Sequence, residues 1–153
     1  MAPAGGAWAR AGLLVAAVVV ADQASKQVVE SAIRVGHGRH GVGFLDFVHV
    51  RNDGVAFGLL SGGGAALVVT LTAVALVAVL AWFAREPARP YAWIPTGLLV
   101  GGALGNLIDR VRQGSVTDFL KVPHWPAFNV ADAAITIGVV ALVLVLEMRH
   151  SRA

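Results

Sequence analysis

The chain of 153 residues is 57% hydrophobic and only 14% charged, with a mean hydropathy of +0.72 and a net charge of +3. A soluble domain carries roughly 25% charged residues, so this composition indicates a membrane protein. The basic residues form no clustered stripe, which argues against binding to nucleic acid, and the lack of cysteine excludes disulfides, thiolate metal sites and a cysteine nucleophile.

The first apolar stretch, residues 11–33, is predicted to cross the bilayer, although its purely apolar part is short. It contains Asp22 and Lys26, whose spacing of four places them on one face of a helix, where they can pair. A cleaved signal peptide with Arg10 as its basic flank is an alternative interpretation. Its small-residue cleavage site would have to straddle Asp22, so a continuing helix is favoured.

A surface β element is predicted between the first two spans, which about thirty residues separate. Residues 48–51 alternate apolar and polar side chains, and the sequence Asn-Asp-Gly at 52–54 supplies a turn before the apolar run 55–60. We expect this element to lie on the membrane surface. The second span, residues 64–84, contains no charged residue and is the clearest of the four.

The third span is predicted over residues 91–108, after a short polar hairpin at 85–90. Small residues spaced four apart form a stripe along one face of a helix and allow another helix to approach closely. We expect such close packing along the third span, because glycines recur there at that spacing: Gly97, Gly101 and Gly105.

Residues 109–127 then lead to the fourth span, residues 128–146. The predicted fold class is an all-α membrane protein, a four-transmembrane-helix bundle with a small extracytoplasmic β element, in a single domain over residues 1–153. Four crossings place both termini on one side and the two long loops on the other. The total number of Lys and Arg residues does not decide the orientation. Basic residues close to the span ends favour cytoplasmic termini: Arg10, Arg85 and Arg149.

Carboxylates in or beside the spans require an explanation, because each costs at least a few kcal/mol at membrane depth unless it is paired or hydrated. Asp22 has Lys26 nearby, and Asp109 has Arg110 beside it, Arg112 three residues after it and Asn106 one turn before it. Structural ion pairs explain both more readily than catalysis. The unusual polar residues follow the two long loops, which indicates a site at one membrane face: Asn52, Asp53, Asn106, Asp109, Arg110, Asp118, Asn129 and Asp132.

Asp118 and Asp132 differ from the other carboxylates because no cation is adjacent to them in sequence. Two carboxylates held close together share a proton, so one can act as a general base on water while the other polarises a carbonyl group. That chemistry is the aspartic protease mechanism, and it needs no metal or other cofactor. The spacing is equally consistent with an alternative interpretation, in which Asp118 caps a turn and Asp132 pairs with a distant arginine.

Five segments occur in order along the chain: DQASK at 22–26, NDGVAF at 52–57, GGALGNLIDR at 101–110, VTDF at 116–119 and FNVAD at 128–132. Together they resemble the motifs of one family, the bacterial lipoprotein signal peptidases, also called type II signal peptidases. Any one segment alone is weak evidence, but five in register from the first span to the fourth are specific. No position fixed by the family motifs departs from the pattern.

The resemblance implies a membrane-embedded aspartic endopeptidase that cleaves diacylglyceryl-modified prolipoproteins just before the lipidated cysteine. We further expect a monomer in the bacterial cytoplasmic membrane, in contact with lipids, with its active site at the outer face. Its implied residue roles are a catalytic dyad of Asp118 and Asp132, dyad- or substrate-positioning roles for Asn52, Gly54, Asn106, Arg110 and Asn129, and organising roles for Asp22, Lys26 and Asp109.

Two further interpretations concern the surface and the function. An apolar rim is expected to anchor the loops at the interface or to dock substrate: Phe44, Phe47, Phe57, Phe119 and Trp125.

The alternative function is a small proton- or ion-coupled transporter or channel subunit that uses intramembrane carboxylates as a relay. A relay would spread polar groups through the membrane thickness, whereas these crowd at one face. A purely structural adaptor leaves Asp118 and Asp132 unexplained.

Overall fold

The computed structural model describes residues 4–53 and 64–148, in which four helices accompany a small antiparallel sheet. The sheet packs at the end of the bundle where α1 finishes, since β3 contacts the last turns of α1. In chain order the elements are α1 Ala4–Ala32, β1 Gly38–Val42, β2 Leu45–Asn52, α2 Gly64–Arg85, α3 Trp93–Gln113, β3 Val116–Lys121 and α4 Val130–Glu147.

The helix α3 extends further than the predicted third span. Asp109 and Arg110, expected in the loop that follows, are helical, and the helix ends only at Gln113, with Gly114 as its C-cap. Gly114 adopts the left-handed conformation with φ of 76°, and its N–H donates to the carbonyl of Arg110. Glycine favours this helix-ending conformation because it has no Cβ. The prediction placed the boundary at the first charge, whereas the chain turns at the glycine.

Three helices in the described part of the chain are long and apolar enough to cross a membrane: Gly5–Ala32, Ala66–Arg85 and Val130–Glu147. Their outward faces carry large exposed apolar side chains, such as Leu71 of α2 and Leu144 of α4. Contiguous apolar surface of this kind indicates contact with lipid. Glycines and polar residues lower the hydropathy of α3, so it does not belong to this group.

The predicted glycine stripe packs α3 closely against α1. Each glycine is matched by an α1 residue that an added Cβ would approach closer than 3.0 Å: Gly97 by Leu14, Gly101 by Val18 and Gly105 by Asp22. A second face of α3 approaches α4, where a Cβ on Gly102 would lie 2.5 Å from the carbonyl oxygen of Ala131. The helix α3 therefore lies between α1 and α4 and brings their polar residues within hydrogen-bonding distance.

The sheet has the order β1-β2-β3, and both neighbouring pairs are antiparallel. In its register Asp118 of β3 lies opposite Val50 of β2. After β3 the chain turns and returns, so that Phe128 exchanges backbone hydrogen bonds with Leu120 at 2.8 and 2.9 Å. This return places the start of α4 directly beside β3.

The predicted apolar rim is correct only in part. Phe44 and Trp125 are 75% and 62% exposed, and Phe47 is at the margin of exposure. Phe119, in contrast, is buried against the end of α1, because it lies on the inner face of β3. Phe57 lies outside the described residues.

Replacing Gly102 with alanine is expected to destabilise the bundle, because the new Cβ would press on the Ala131 carbonyl and on Ile135. Overpacking of this kind costs about 1–3 kcal/mol. Gly12→Ala is the matched control, since no atom lies within 4 Å of its Cβ position in α1. Thermal unfolding in detergent measures both. An unchanged Tm for Gly102→Ala would contradict the close packing of α3 against α4.

Candidate active site

A buried ion cluster joins α1 to α3. The Lys26 ammonium, 2% exposed, lies 2.7 Å from Asp22 Oδ2 and 2.8 Å from Asp109 Oδ2. The predicted pair of Asp22 and Lys26 is thereby confirmed. The expected partners of Asp109, Arg110 and Arg112, are not its ion-pair partners, because Lys26 on the neighbouring helix takes that role.

The same cluster reaches the other two elements of the site. Asp22 Oδ1 accepts from the backbone N–H of Ala131 at 2.9 Å, in the first turn of α4. Asp109 Oδ2 accepts from the backbone N–H of Thr117 at 3.2 Å, in β3. A helix N-terminus favours a carboxylate, because its first N–H groups have no partner within the helix. The two carboxylates therefore set the positions of α4 and β3 against α1 and α3.

Asn129 is the N-cap of α4 and contacts both predicted catalytic residues. Its Oδ1 accepts from the backbone N–H of Asp132 at 2.9 Å, and Asp132 Oδ2 accepts from the backbone N–H of Asn129 at 3.3 Å, which together form a capping box. Since the cap occupies Oδ1, the amide nitrogen points away from the helix. It donates to Asp118 Oδ1 at 2.8 Å.

Asp118 is buried at the junction of the sheet and the bundle. Asn52 Nδ2, diagonally across from it on β2, donates to its Oδ2 at 2.9 Å. Burial raises the pKa of Asp118 to about 6, and the nearby charge of Asp132 adds to the rise, while the Asn52 and Asn129 hydrogen bonds oppose it. Burial acts in this direction because it disfavours the charged form. Asp118 is therefore half protonated near that pH.

Asn106 connects the ion cluster to Asp132. Its Oδ1 accepts from Lys26 Nζ and from Asn129 Nδ2, both at 3.1 Å, and its Nδ2 donates to Asp132 Oδ1 at 2.8 Å. Arg110, one turn later on α3, interacts electrostatically with Asp132 and with the buried Asp118. Its Nε is buried without a hydrogen-bond partner in the described part of the chain.

The structure thus brings nine of the predicted site residues to one end of the bundle: Asp22, Lys26, Asn52, Asn106, Asp109, Arg110, Asp118, Asn129 and Asp132. The tenth, Gly54, lies outside the described residues. Sequence reasoning missed Gln23, whose Nε2 donates to Asp109 Oδ1 at 2.8 Å. The signal was its place beside Asp22 in the first motif.

An apolar cavity opens beside Asp132. It has a volume of about 300 Å³ and is lined by Trp125, Phe128, Asp132, Ala133, Thr136 and Ile137. Over residues 4–53 and 64–148, no group of three or more His, Asp or Glu side chains is arranged to hold a metal ion. The site therefore contains two aspartates, Asp118 and Asp132, that each accept hydrogen bonds from asparagine residues, and Asp132 borders the apolar cavity.

The sequence is similar to known proteins over most of its length. A family model described as Signal peptidase (SPase) II matches residues 14–148. The "Lipoprotein signal peptidase" of Syntrophotalea carbinolica is 45% identical over 86% of this chain and 88% of its own length. The protein of the same name from Moorella thermoacetica is 41% identical over 85% of this chain and 88% of its own length.

The fold is also similar to that of a solved structure. A structure titled "Bacterial membrane enzyme structure by the in meso method at 2.3 A resolution" matches with a TM-score of 0.83. It is 32% identical in sequence and the match covers 93% of this chain and 90% of that one. The arrangement of helices and sheet is therefore similar to that of this solved structure.

The raised pKa of Asp118 predicts a pH-dependent effect of Asp118→Asn on stability. The pKa of Asp118 in the folded state, about 6, exceeds the ordinary 3.8. The contribution of Asp118 to folding stability is therefore greatest below pH 3.8 and is lost as the pH rises through 6. Asparagine does not titrate, so the Tm of the variant should rise relative to wild type between about pH 4 and pH 7. Thermal unfolding across this range measures the difference, and a constant difference would contradict the assignment.

Proposed function

Because the chain belongs to the signal peptidase II family, it is a protease that removes signal peptides from prolipoproteins, and we propose that Asp118 and Asp132 form its catalytic dyad. The observation that carries this proposal is the contact of one amide, Asn129, with both residues. It donates to the Asp118 carboxylate and accepts from the Asp132 backbone. The protease is a multi-pass membrane protein.

The two aspartates are proposed to have different roles because their surroundings differ. Asp118 is buried, and its raised pKa favours the proton there. Asp132 is only half-buried and lies in the first turn of α4, where the helix N-terminus favours a carboxylate. We therefore assign Asp118 as the acid and Asp132 as the base.

The reaction follows from this assignment. Ionised Asp132 takes a proton from water, whose oxygen attacks the scissile carbonyl carbon, while Asp118 gives its proton to the carbonyl oxygen. The tetrahedral intermediate then breaks its C–N bond, and the proton held by Asp132 passes to the leaving amine. The Asp118 carboxylate recovers its proton from the intermediate's hydroxyl group as the carbonyl re-forms. Both carboxyl groups return to their starting states.

Positioning roles are proposed for the polar residues around the dyad. Asn52 holds Asp118 from the sheet, and Asn106 and Asn129 hold the two carboxyl groups in place. The Arg110 Nε, buried and unpartnered within the described residues, is available to donate to a substrate backbone carbonyl. Gly54 is proposed to position the substrate. Asp22, Lys26 and Asp109 organise the elements that carry these groups.

The proposed substrate is a diacylglyceryl-modified prolipoprotein, cut just before the lipidated cysteine. The apolar cavity beside Asp132 supports this proposal, because acyl chains attached next to the scissile bond need apolar surface there. We propose that the enzyme acts as a monomer among membrane lipids, in the bacterial cytoplasmic membrane. Its site would then lie at the outer face, where lipidated substrates lie.

Four membrane crossings are also proposed, with both termini in the cytoplasm and a single domain over residues 1–153. The helix α3 has 21 residues, which corresponds to about 31 Å, close to the thickness of the hydrocarbon core. Its glycine faces pack on α1 and α4, so the bundle shields its polar end from lipid. Two basic residues, Arg85 in the last turn of α2 and Arg89 in the turn that follows, favour the cytoplasmic side.

Asp118→Asn and Asp132→Asn are each expected to lower kcat by about 1000-fold or more, because each removes one of the two proton-transfer groups. Cleavage of a diacylglyceryl-modified prolipoprotein in detergent measures the loss. The matched control is Asp46→Asn on β2, an aspartate paired with His40 at the surface of the sheet. A folded variant of Asp118 or Asp132 that cuts at nearly the wild-type rate would exclude that residue from the dyad.

The proposed topology can be tested by single-cysteine labelling, because the natural chain contains no cysteine. Val42→Cys in the hairpin and Trp125→Cys after β3 should react with a membrane-impermeant maleimide applied from the outer side. Ala88→Cys, between α2 and α3, should react only after permeabilisation. Labelling of positions 88 and 125 from the same side would contradict the crossing by α3.

A further inference from the structure

Lys26 makes a third contact that its two ion pairs do not explain. An ammonium group has three N–H donors, and here the third reaches Asn106 Oδ1 at 3.1 Å, beyond the carboxylates of Asp22 and Asp109. Lys26 is 2% exposed and Asn106 is 7% exposed, so water does not compete freely for this contact. The cation therefore acts directly on an amide that contacts the dyad.

The orientation of the Asn106 amide depends on this contact. Its oxygen accepts from two donors, Lys26 Nζ and Asn129 Nδ2, while its nitrogen donates to Asp132 Oδ1. If the amide turned over, its NH₂ group would face two donors and its oxygen would face the Asp132 carboxylate. All three hydrogen bonds would be lost. An asparagine amide has donors on one side only, so its surroundings decide which way it points.

We propose that Lys26 is a positioning residue for the hydrolytic reaction, acting through Asn106, which it orients so that an N–H group is held on Asp132. The proposal rests on the proposed dyad and deepens it. Asp132 must be ionised to accept a proton from water, and a fixed donor stabilises that ionised form. The first motif of the sequence therefore contributes to the chemistry of the fifth, which contains Asp132.

A purely structural role for Lys26 predicts something different. In that case the lysine would only neutralise two buried carboxylates, and replacing it would lower the stability of the fold but leave the kcat of the folded enzyme unchanged. Lys26 with Asp22 and Asp109 carries one net negative charge, and so does a Lys26→Met/Asp22→Asn double variant, in which Asp109 alone is charged. Asparagine at position 22 also keeps an oxygen that can accept from the Ala131 N–H.

The test compares the double variant with Asp22→Asn alone, which keeps the hydrogen bond from Lys26 to Asn106. Cleavage of a diacylglyceryl-modified prolipoprotein gives kcat and KM for both, and thermal unfolding in detergent identifies folded protein. Loss of one oriented donor at a reacting group costs about 100-fold, so kcat of the double variant should fall by about that factor relative to Asp22→Asn. KM should change by less than about threefold, since the substrate contacts are intact.

A double-mutant cycle then separates positioning from structure. The effect of Lys26→Met is measured again in a protein that carries Asp22→Asn and Asn106→Ala. If Lys26 acts through Asn106, its replacement should lower kcat by less than about threefold there, because the amide is already absent. An equal loss with and without Asn106 would overturn the proposal, as would a double variant with the kcat of Asp22→Asn.

Failure of the dyad itself would be distinguishable. Asp132→Asn is measured in the same assay as wild type. If it retains turnover, the proposed function of Asp132 is wrong irrespective of Lys26. If Asp132→Asn is inactive and the cycle shows no coupling between Lys26 and Asn106, the proposed role of Asp132 stands and the positioning role of Lys26 is overturned.

Discussion

The buried Lys26 ammonium is the interaction on which the arrangement of this site depends. It lies on α1, pairs with Asp22 and with Asp109 of α3, and through those carboxylates is connected to backbone N–H groups of α4 and β3. Removing one partner of a buried pair costs about 3–5 kcal/mol, because the other charge is left without compensation. One cation therefore determines the mutual positions of four elements.

Two residues that begin the helix α4 are also proposed to take part in the chemistry. Asn129 and Asp132 form the capping box of α4, and such caps contribute about 1 kcal/mol to helix stability. The same cap directs the Asn129 amide at Asp118. The hydrogen bonds of Asn129 thus both stabilise the helix and orient the dyad. A change at Asn129 should therefore affect the stability of α4 and the activity.

Close backbone approach makes this concentration of polar groups possible in a bundle with an apolar exterior. The glycines of α3 let α1 and α4 approach, so that Asp22 lies against Gly105 and also reaches the first turn of α4. Along the rest of the bundle, large apolar side chains such as Leu71 and Leu144 face outward. The polar network is consequently confined to the end where the sheet packs, beside the apolar cavity that borders Asp132.

Interactions within one element could be predicted from the sequence by itself. The spacing of four between Asp22 and Lys26 implies their pair through helix periodicity, the recurrence of glycine predicts a packing face, and the five motifs identify the candidate residues. Contacts between elements were decided only by the tertiary structure. Lys26 pairs with Asp109 where Arg110 and Arg112 were expected, and Phe119 is buried. Such contacts depend on how helices and strands dock, and a linear pattern carries no information about which faces meet.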